Sequence, residues 1–187
     1  RSTHCISSAA SDVYKRQSAT PQQVKKLFTR TVDTGIQHGT VTVLMGKEGY
    51  EVTTYRVDGE YEDARHPKEV TFTANLEEDL RRRDFTINAM AYNDSEGLVD
   101  VFGGRADIEQ KVIRCVGNAE ERFGEDALRI MRAVRFSAQL GFTVDPDTAK
   151  AAKKLAGTLS KISAERIQTE LVKLLISPHP DYLRYAW

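Results

Sequence analysis

The sequence has few cysteines, no long apolar run and no excess of either charge. Two cysteines, Cys5 and Cys115, lie far apart among 187 residues and form no metal-binding or disulfide pattern. No apolar stretch approaches the roughly 18 residues that a membrane-spanning helix needs. The 27 basic and 27 acidic residues give a net charge of zero, so no general affinity for nucleic acid is indicated. We therefore expect a cytoplasmic protein without a membrane partner, whose nucleic-acid contacts, if any, come from local patches.

The composition is that of a globular protein, with 40% hydrophobic and 29% charged residues. The first 17 residues, RSTHCISSAASDVYKRQ, nevertheless show no amphipathic period, no helix cap and no hydrophobic cluster. We interpret residues 1–17 as a non-native scar, or else a disordered tail, and place them outside the fold. The other end, SPHPDYLRYAW, stops abruptly after a predicted helix, so we expect the chain to be truncated at both ends.

The first half of the chain predicts strands as well as helices. TPQQVKKLF predicts a short helix with Thr20 as N-cap and Pro21 at its first position. HGTVTVLM and YEVTTYRV predict two strands joined by a turn at GKEG. Residues 58–74 predict a mobile loop, and residues 75–93 predict a mostly helical segment, broken near residue 84.

The second half predicts mainly helices. GLVDVFGGRADIEQKVIRCVG indicates a short extended piece, a Gly-Gly turn, a short helix and a strand. From Asn118 onward we expect an opening helix and further helices at roughly 146–156 and 163–176. The prediction is therefore an α/β piece at residues 18–117 and an all-α piece at residues 118–187.

The stretch GEDALRIMRAVRF, residues 124–136, places carboxylates and guanidinium groups beside a helical core face. On one helix Glu125 and Asp126 would both neighbour Arg129, at i,i+4 and i,i+3. Apolar residues occupy the side that would face the core: Ile130, Met131 and Val134. Ion pairs at the solvated start of a helix explain this pattern when it is taken alone.

A second explanation is that Asp126 and Arg129 read a nucleotide base. Aspartate accepts hydrogen bonds and arginine donates them in a fixed fork. Cytosine and adenine each present an amino donor beside a ring-nitrogen acceptor, which suits this pair. Uracil and guanine reverse the pattern, and each mismatched buried polar group costs about 1–3 kcal/mol.

Three motifs in order make the second explanation specific: EVTTYR at 51–56, RRDFTINA at 82–89 and EDALRIMR at 125–132. Together they resemble the bacterial tRNA nucleotidyltransferase family, which comprises CCA-adding enzymes and closely similar poly(A) polymerases. The resemblance covers about residues 20–187. It implies a polymerase β-like nucleotidyltransferase head that lacks its first strands, followed by an all-α neck.

The resemblance also implies an activity and its partners. It identifies the chain as a fragment of a template-independent RNA nucleotidyltransferase that adds CMP and AMP to tRNA 3′ ends. The expected partners are tRNA, ATP and CTP, with no DNA. The basic residues of the later helices would face tRNA phosphates or plain solvent: Lys150, Lys153, Lys154, Lys161 and Arg166.

Site residues follow from the same resemblance. Asp126 and Arg129 would read the base edge of CTP or ATP, and Glu125 would hold the Arg129 guanidinium. Arg132 is a candidate for phosphate or RNA contact. Triphosphate and ribose contacts are assigned to the second motif: Arg82, Arg83, Asp84 and Asn88. Without the resemblance, a surface basic cluster with a capping aspartate explains that motif equally well.

Glu51 matches the third carboxylate of the two-metal site that the family uses for nucleotidyl transfer. The family places a D-x-D pair and a Gly-Gly turn just before the first helix, where this sequence has Asp12 as its only acid. Two Mg²⁺ ions need more oxygen ligands than these residues supply. We expect Mg²⁺ to serve the full-length protein and this chain alone to be inactive. A solvent-facing strand glutamate explains Glu51 equally well.

Two alternatives stay open at this point, and a third is disfavoured. A poly(A) polymerase of the same family would differ only in taking ATP alone. A noncatalytic nucleotide- or RNA-binding module would follow from the missing D-x-D pair. A helical DNA-binding protein is disfavoured by the two predicted strands and the Asp-Arg pair.

Overall fold

The computed structural model describes residues 3–5, 14–59 and 70–186, and the chain divides into two compact units. The first unit comprises residues 1–60, 67–83 and 88–101, and the second comprises residues 61–66, 84–87 and 102–187. The second unit therefore begins earlier along the main chain than the border that we expected near residue 117.

The described residues of the first unit form a seven-stranded sheet, a separate strand pair and two short helices. In chain order these are β1 (Thr3–Cys5), β2 (Tyr14–Gln17), α1 (Pro21–Leu27), β3 (Thr31–Gly35), β4 (Thr40–Met45), β5 (Glu48–Thr54), β6 (Arg56–Asp58), β7 (Val70–Phe72), α2 (Leu76–Arg81), β8 (Ala91–Asn93) and β9 (Gly97–Val99). The sheet order is β3-β4-β5-β2-β1-β8-β9, in which β2 and β5 pair in parallel and the other neighbours pair antiparallel.

Helix α1 begins where the sequence predicts, and it packs on the sheet. Thr20 caps it, and the Gln23 side chain accepts a hydrogen bond from the Thr20 backbone N–H, which completes a capping box. Val24 of the helix packs against Val41 and Val43 of β4, and all three are buried. The two valines lie two residues apart and therefore share one face of the strand.

Residues 1–17 contribute strands, contrary to our expectation that they lie outside the fold. Thr3–Cys5 pairs with Tyr14–Gln17 and with β8, and Tyr14–Gln17 pairs with β5. Neither strand has a hydrophobic pattern of its own. Since no apolar pattern marks these short strands, periodicity did not predict them.

Two further predictions for the first unit need correction. The mobile loop predicted at residues 58–74 contains β7, which pairs with β6, while residues 60–69 lie outside the described part of the chain. The helix predicted across residues 75–93 ends at Arg81, and Ala91–Asn93 is a strand between β1 and β9. Strand pairing here overrides the helical preference of a short alanine-containing segment.

The second unit is mainly helical, as expected. Its described elements are α3 (Gly104–Gln110), β10 (Val112–Ile113), α4 (Ala119–Glu125), α5 (Leu128–Leu140), β11 (Thr143–Val144), α6 (Pro146–Leu155) and α7 (Ala164–Leu175), with 3₁₀ turns at Ala156–Lys161 and Pro180–Ala186. Strand β10 lies in the segment whose end was predicted to be a strand, whereas β11 and its parallel pairing with β10 were not predicted, because a two-residue strand leaves no periodic pattern.

Helix α5 lies at the centre of the second unit. Its predicted core residues are buried: Ile130, Met131 and Val134. Leu128 and Met131 pack with Ile162 and the flanking apolar residues of α7, whereas Val134 packs with Leu174 nearer the end of α7. Helix α7 therefore contacts α5 along much of its length.

The helix that we predicted to run through GEDALRIMR is in fact two helices. Helix α4 ends at Glu125, and Asp126 has an extended backbone with φ −146° and ψ 105°. The Asp126 Oδ1 atom accepts a hydrogen bond from the Leu128 backbone N–H at 3.0 Å, so the side chain replaces a missing helical partner. Such local capping competes with helix continuation, which explains the break.

In the part of the chain that the structure describes, no helix has both the length and the apolar character needed to cross a bilayer.

Two glycines of the first unit provide a matched test of its packing. Gly39 and Gly46 both have positive φ, at 83° and 65°. A Cβ on Gly39 would lie 2.8 Å from Cε1 of Phe72, whereas a Cβ on Gly46 would meet no atom within 4 Å. We expect Gly46→Ala to cost about 1 kcal/mol of unfolding free energy through its backbone alone. Gly39→Ala should cost about 1 kcal/mol more through the clash.

Urea unfolding of both variants measures this difference. Equal losses would show that Phe72 moves aside without cost.

Candidate functional site

Asp79 is a buried carboxylate that holds two of the predicted nucleotide-binding arginines in the first unit. Its side chain is 0% exposed, and its Oδ1 atom accepts from Nε and Nη2 of Arg82 at 3.0 and 2.8 Å. The same oxygen accepts from the Arg56 backbone N–H at 3.3 Å, and Nη2 of Arg83 lies 3.9 Å from Oδ2. The structure thus brings Arg82 and Arg83 together around one anion.

Asp79 was not among the predicted site residues, although its spacing from the arginines contains a signal. Asp79 precedes Arg82 by three residues and Arg83 by four, which are the spacings of neighbours on a helix. Arg81 turns the other way, pairs with Glu77 at 2.6 Å and is 65% exposed. The three adjacent arginines therefore do not share one face. Asn88, also predicted for the site, is buried in the same unit.

Glu51 is exposed on β5, next to β2 and β4 in the sheet. Neither flanking strand carries a carboxylate: β2 is YKRQ and β4 is TVTVLM. Over residues 3–5, 14–59 and 70–186, no group of three or more His, Cys, Asp and Glu side chains is arranged to hold a metal. Asp12 lies outside these residues. The described residues around Glu51 therefore do not fit a two-Mg²⁺ site.

In the second unit, Asp84 and Arg132 form an ion pair. The Asp84 Oδ2 atom accepts from Nε of Arg132 at 2.8 Å and from Nη2 at 2.7 Å, and Oδ1 accepts from the Phe85 N–H at 2.9 Å. Burial lowers the pKa of Arg132, but the charge and hydrogen bond of Asp84, together with the charges of Glu170 and Asp126, raise it, and the net shift of the pKa is upward. Two predicted site residues from separate motifs thus lie side by side, paired with each other.

Glu125 contacts Arg129, as predicted, and also Arg122. Its Oε2 atom accepts from Nη1 of Arg129 and its Oε1 atom lies beside Nη2 of Arg122, both at 2.5 Å. Arg129 Nη1 also donates to the Arg122 carbonyl oxygen at 3.0 Å. One carboxylate between two guanidinium groups fixes the orientation of Arg129. The roles of these residues at a nucleotide stay predictions.

Asp126 lies at the junction of α4 and α5, not on a helix as predicted. While Oδ1 caps α5 at Leu128, Oδ2 accepts from Nη2 of Arg166 on α7 at 2.8 Å. An ionised carboxylate has about four acceptor positions, so these two bonds leave acceptor capacity at each oxygen. Side chains of this unit can therefore present a fixed acceptor at Asp126 and a fixed donor at Arg129.

A buried ion pair joins α5 to α7 next to this junction. Arg135 and Glu170 are both buried, and Nε of Arg135 donates to Oε2 of Glu170. Burial lowers the pKa of Arg135 although Glu170 opposes the shift. The Arg135 guanidinium also lies 3.8 Å from the centre of the Phe136 ring, and Arg132 Nη1 lies 4.0 Å from Oε1 of Glu170. Glu170 was not among the predicted residues.

Cys115 is a buried neutral thiol. Burial, with the Asp84 charge, raises its pKa to about 12, against opposing effects of Thr148, Arg129 and Arg122. Since the thiolate is the reactive form, this cysteine is not a nucleophile at neutral pH.

Two family models match the chain. The model described as "Poly A polymerase head domain" matches residues 6–114, and the model described as "Probable RNA and SrmB- binding site of polymerase A" matches residues 141–186. The CCA-adding enzyme of Leuconostoc citreum is 55% identical over 168 residues, which are 90% of this chain and 42% of that enzyme. The chain thus spans well under two thirds of this relative.

Solved structures agree with these matches. The crystal structure of the Bacillus stearothermophilus CCA-adding enzyme in complex with CTP has a TM-score of 0.88 and 42% identity, covering 98% of this chain and 47% of that one. A structure described as "tRNA-processing enzyme (apo form 2)" has a TM-score of 0.75 and 27% identity, and the match covers 98% of this chain and 55% of that one. The expected head-domain fold, α/β and then helical, is confirmed.

The pair of Arg135 and Glu170 gives a test of the packing that supports the site. Glu170→Ala would leave the Arg135 guanidinium buried without its carboxylate, so we expect a loss of about 3 kcal/mol in unfolding free energy. Glu165→Ala removes an exposed carboxylate from the same helix and should change stability by about 0.5 kcal/mol or less. Chemical denaturation measures both; similar losses would contradict the importance of the buried pair.

Proposed function

Because the chain belongs to the poly(A) polymerase head-domain family, we propose that it serves the template-independent transfer of CMP and AMP to the 3′ end of tRNA. Its part in that reaction is to select CTP and ATP through Asp126 and Arg129. The observation that carries this proposal is the junction of α4 and α5, where an oriented acceptor and an oriented donor lie three residues apart.

The chemistry of the two side chains favours CTP and ATP. The spare acceptor positions of Asp126 suit the amino group of cytosine or adenine, and the Arg129 guanidinium suits the adjacent ring nitrogen. The relative from Bacillus stearothermophilus, 42% identical, is described in complex with CTP. That description supports a pyrimidine triphosphate as one ligand here. The similarity to a tRNA-processing enzyme supports tRNA as the acceptor.

Each unit contains further residues that are predicted to bind a nucleotide. Arg82 and Arg83 carry positive charge that suits a triphosphate, and Asp79 fixes their position. Asn88 and Asp84 are candidates for the ribose, whose 2′-hydroxyl both donates and accepts hydrogen bonds. Arg132, whose guanidinium pairs with Asp84, is a candidate for contact with phosphate or RNA.

Chemistry with two Mg²⁺ ions would need carboxylates in addition to Glu51, and the strands that flank Glu51 carry none. We therefore assign the described residues to binding and selection, and derive no metal-dependent step from them. The same observation favours a second candidate function, a nucleotide- or RNA-binding module without catalysis. Metal-dependent incorporation of CMP into tRNA would separate the two.

Nucleotide selection is tested by calorimetric titration of the 187-residue chain with CTP, ATP, UTP and GTP. We expect CTP and ATP to bind at least about tenfold more tightly than UTP and GTP, since one mismatched buried polar group costs about 1–3 kcal/mol. Binding of ATP without CTP would instead indicate a poly(A) polymerase. Equal affinity for all four would contradict base reading.

Asp126→Ala should remove the selection and not merely weaken binding. The ratio of CTP affinity to UTP affinity should fall towards one, because the acceptor that distinguishes the two bases is gone. Asp147→Ala removes an exposed carboxylate of the same unit and should leave the ratio unchanged. If Asp126→Ala weakened all four nucleotides equally, Asp126 would hold the helices together without reading the base.

A further inference from the structure

We propose that Arg166 is a positioning residue for nucleotide selection and acts through Asp126. The inference rests on the proposed role of Asp126 as a reader of the base edge. It extends the selecting machinery from the junction of α4 and α5 to a third helix, α7, which would not otherwise touch the nucleotide.

The geometry of the carboxylate carries this inference. Oδ1 of Asp126 is fixed by the Leu128 N–H at 3.0 Å, and Oδ2 is fixed by Nη2 of Arg166 at 2.8 Å. Two bonds from different directions set the plane of the carboxylate, whereas one bond alone lets it rotate about Cβ–Cγ. The acceptor positions that remain can meet a base edge reproducibly only while both bonds hold.

The environment of Arg166 favours this role over a contact with RNA phosphates. Only 23% of its side chain is exposed, and 18% of the Asp126 side chain. By comparison, Lys154 on α6 is 61% exposed and pairs with Glu120 at the surface. A charge-assisted bond that is largely shielded from water keeps its geometry better than a surface pair. The alternative that Arg166 faces tRNA or solvent, left open by the sequence, is therefore the weaker one.

Helix α7 is itself held in place one turn further along. Glu170 follows Arg166 by four residues, so both side chains lie on the same face of α7. Glu170 pairs with Arg135 of α5, and the apolar residues of α7 pack against Leu128 and Met131 of α5. Arg166 therefore approaches Asp126 from a rigid support, which is what a positioning residue needs.

A double-mutant cycle on nucleotide selection tests the inference. The four proteins are the 187-residue chain, Arg166→Ala, Asp126→Ala and the double variant, each titrated calorimetrically with CTP and UTP. Arg166→Ala alone should lower the ratio of CTP to UTP affinity about fivefold or more. In the Asp126→Ala background it should change the ratio less than about twofold, because the group through which it acts is absent.

Two further variants separate positioning from general damage. Arg166→Lys keeps the charge but not the fork, so it should restore part of the ratio. Lys173→Ala on the exposed side of α7 should leave the ratio unchanged. Urea unfolding of each variant identifies any that does not fold, and Arg166→Lys then replaces Arg166→Ala in the cycle.

Each outcome decides the inference. The inference is supported if Arg166→Ala lowers the ratio of CTP to UTP affinity in the unsubstituted chain but does not lower it in the Asp126→Ala variant. An unchanged ratio in Arg166→Ala, or an equal loss in both backgrounds, overturns it and assigns Arg166 to an independent contact. If the unsubstituted chain shows no preference for CTP over UTP, the proposed function itself fails, and the role of Arg166 in selection fails with it.

Discussion

Taking a charged side chain out of water costs free energy unless an opposite charge accompanies it, and both units are built around this requirement. In the first unit the fully buried Asp79 is matched by Arg82 and lies near Arg83. In the second, the buried Arg135 is matched by Glu170, and Asp84 by Arg132. These pairs are costly to separate, so they fix side-chain directions more firmly than apolar packing alone would.

A consequence is that side chains suited to a nucleotide are already engaged within the protein. Arg129 is held by Glu125, and Asp126 by Leu128 and Arg166. An ionised carboxylate has about four acceptor positions, so its two internal bonds do not exhaust Asp126. These bonds orient the carboxylate and leave acceptor positions for a ligand. Orientation before binding lowers the entropy lost when the ligand arrives.

Local chemistry made part of this predictable from sequence. Thr20 and Pro21 predicted the start of α1, and the i,i+4 spacing predicted the contact of Glu125 with Arg129. Contacts across long stretches of chain were not predictable in this way. Arg166 meets Asp126 from 40 residues away, and Asp84 meets Arg132 from 48. No periodicity encodes such pairs, and the resemblance supplied roles for single residues without their partners.

At Asp126 a wrong local prediction coincides with a proposed functional site. Residues 124–136 have the period of one helix, yet the Asp126 side chain competes for the Leu128 N–H and ends α4 at Glu125. In a continuous helix Asp126 would present its carboxylate from the helix surface, where rotamer freedom and water would compete with a base. At the junction, the backbone cap and a third helix orient the same carboxylate. The capping side chain of Asp126, which makes the prediction of one continuous helix wrong, is thus also the reason that Asp126 is a rigid acceptor.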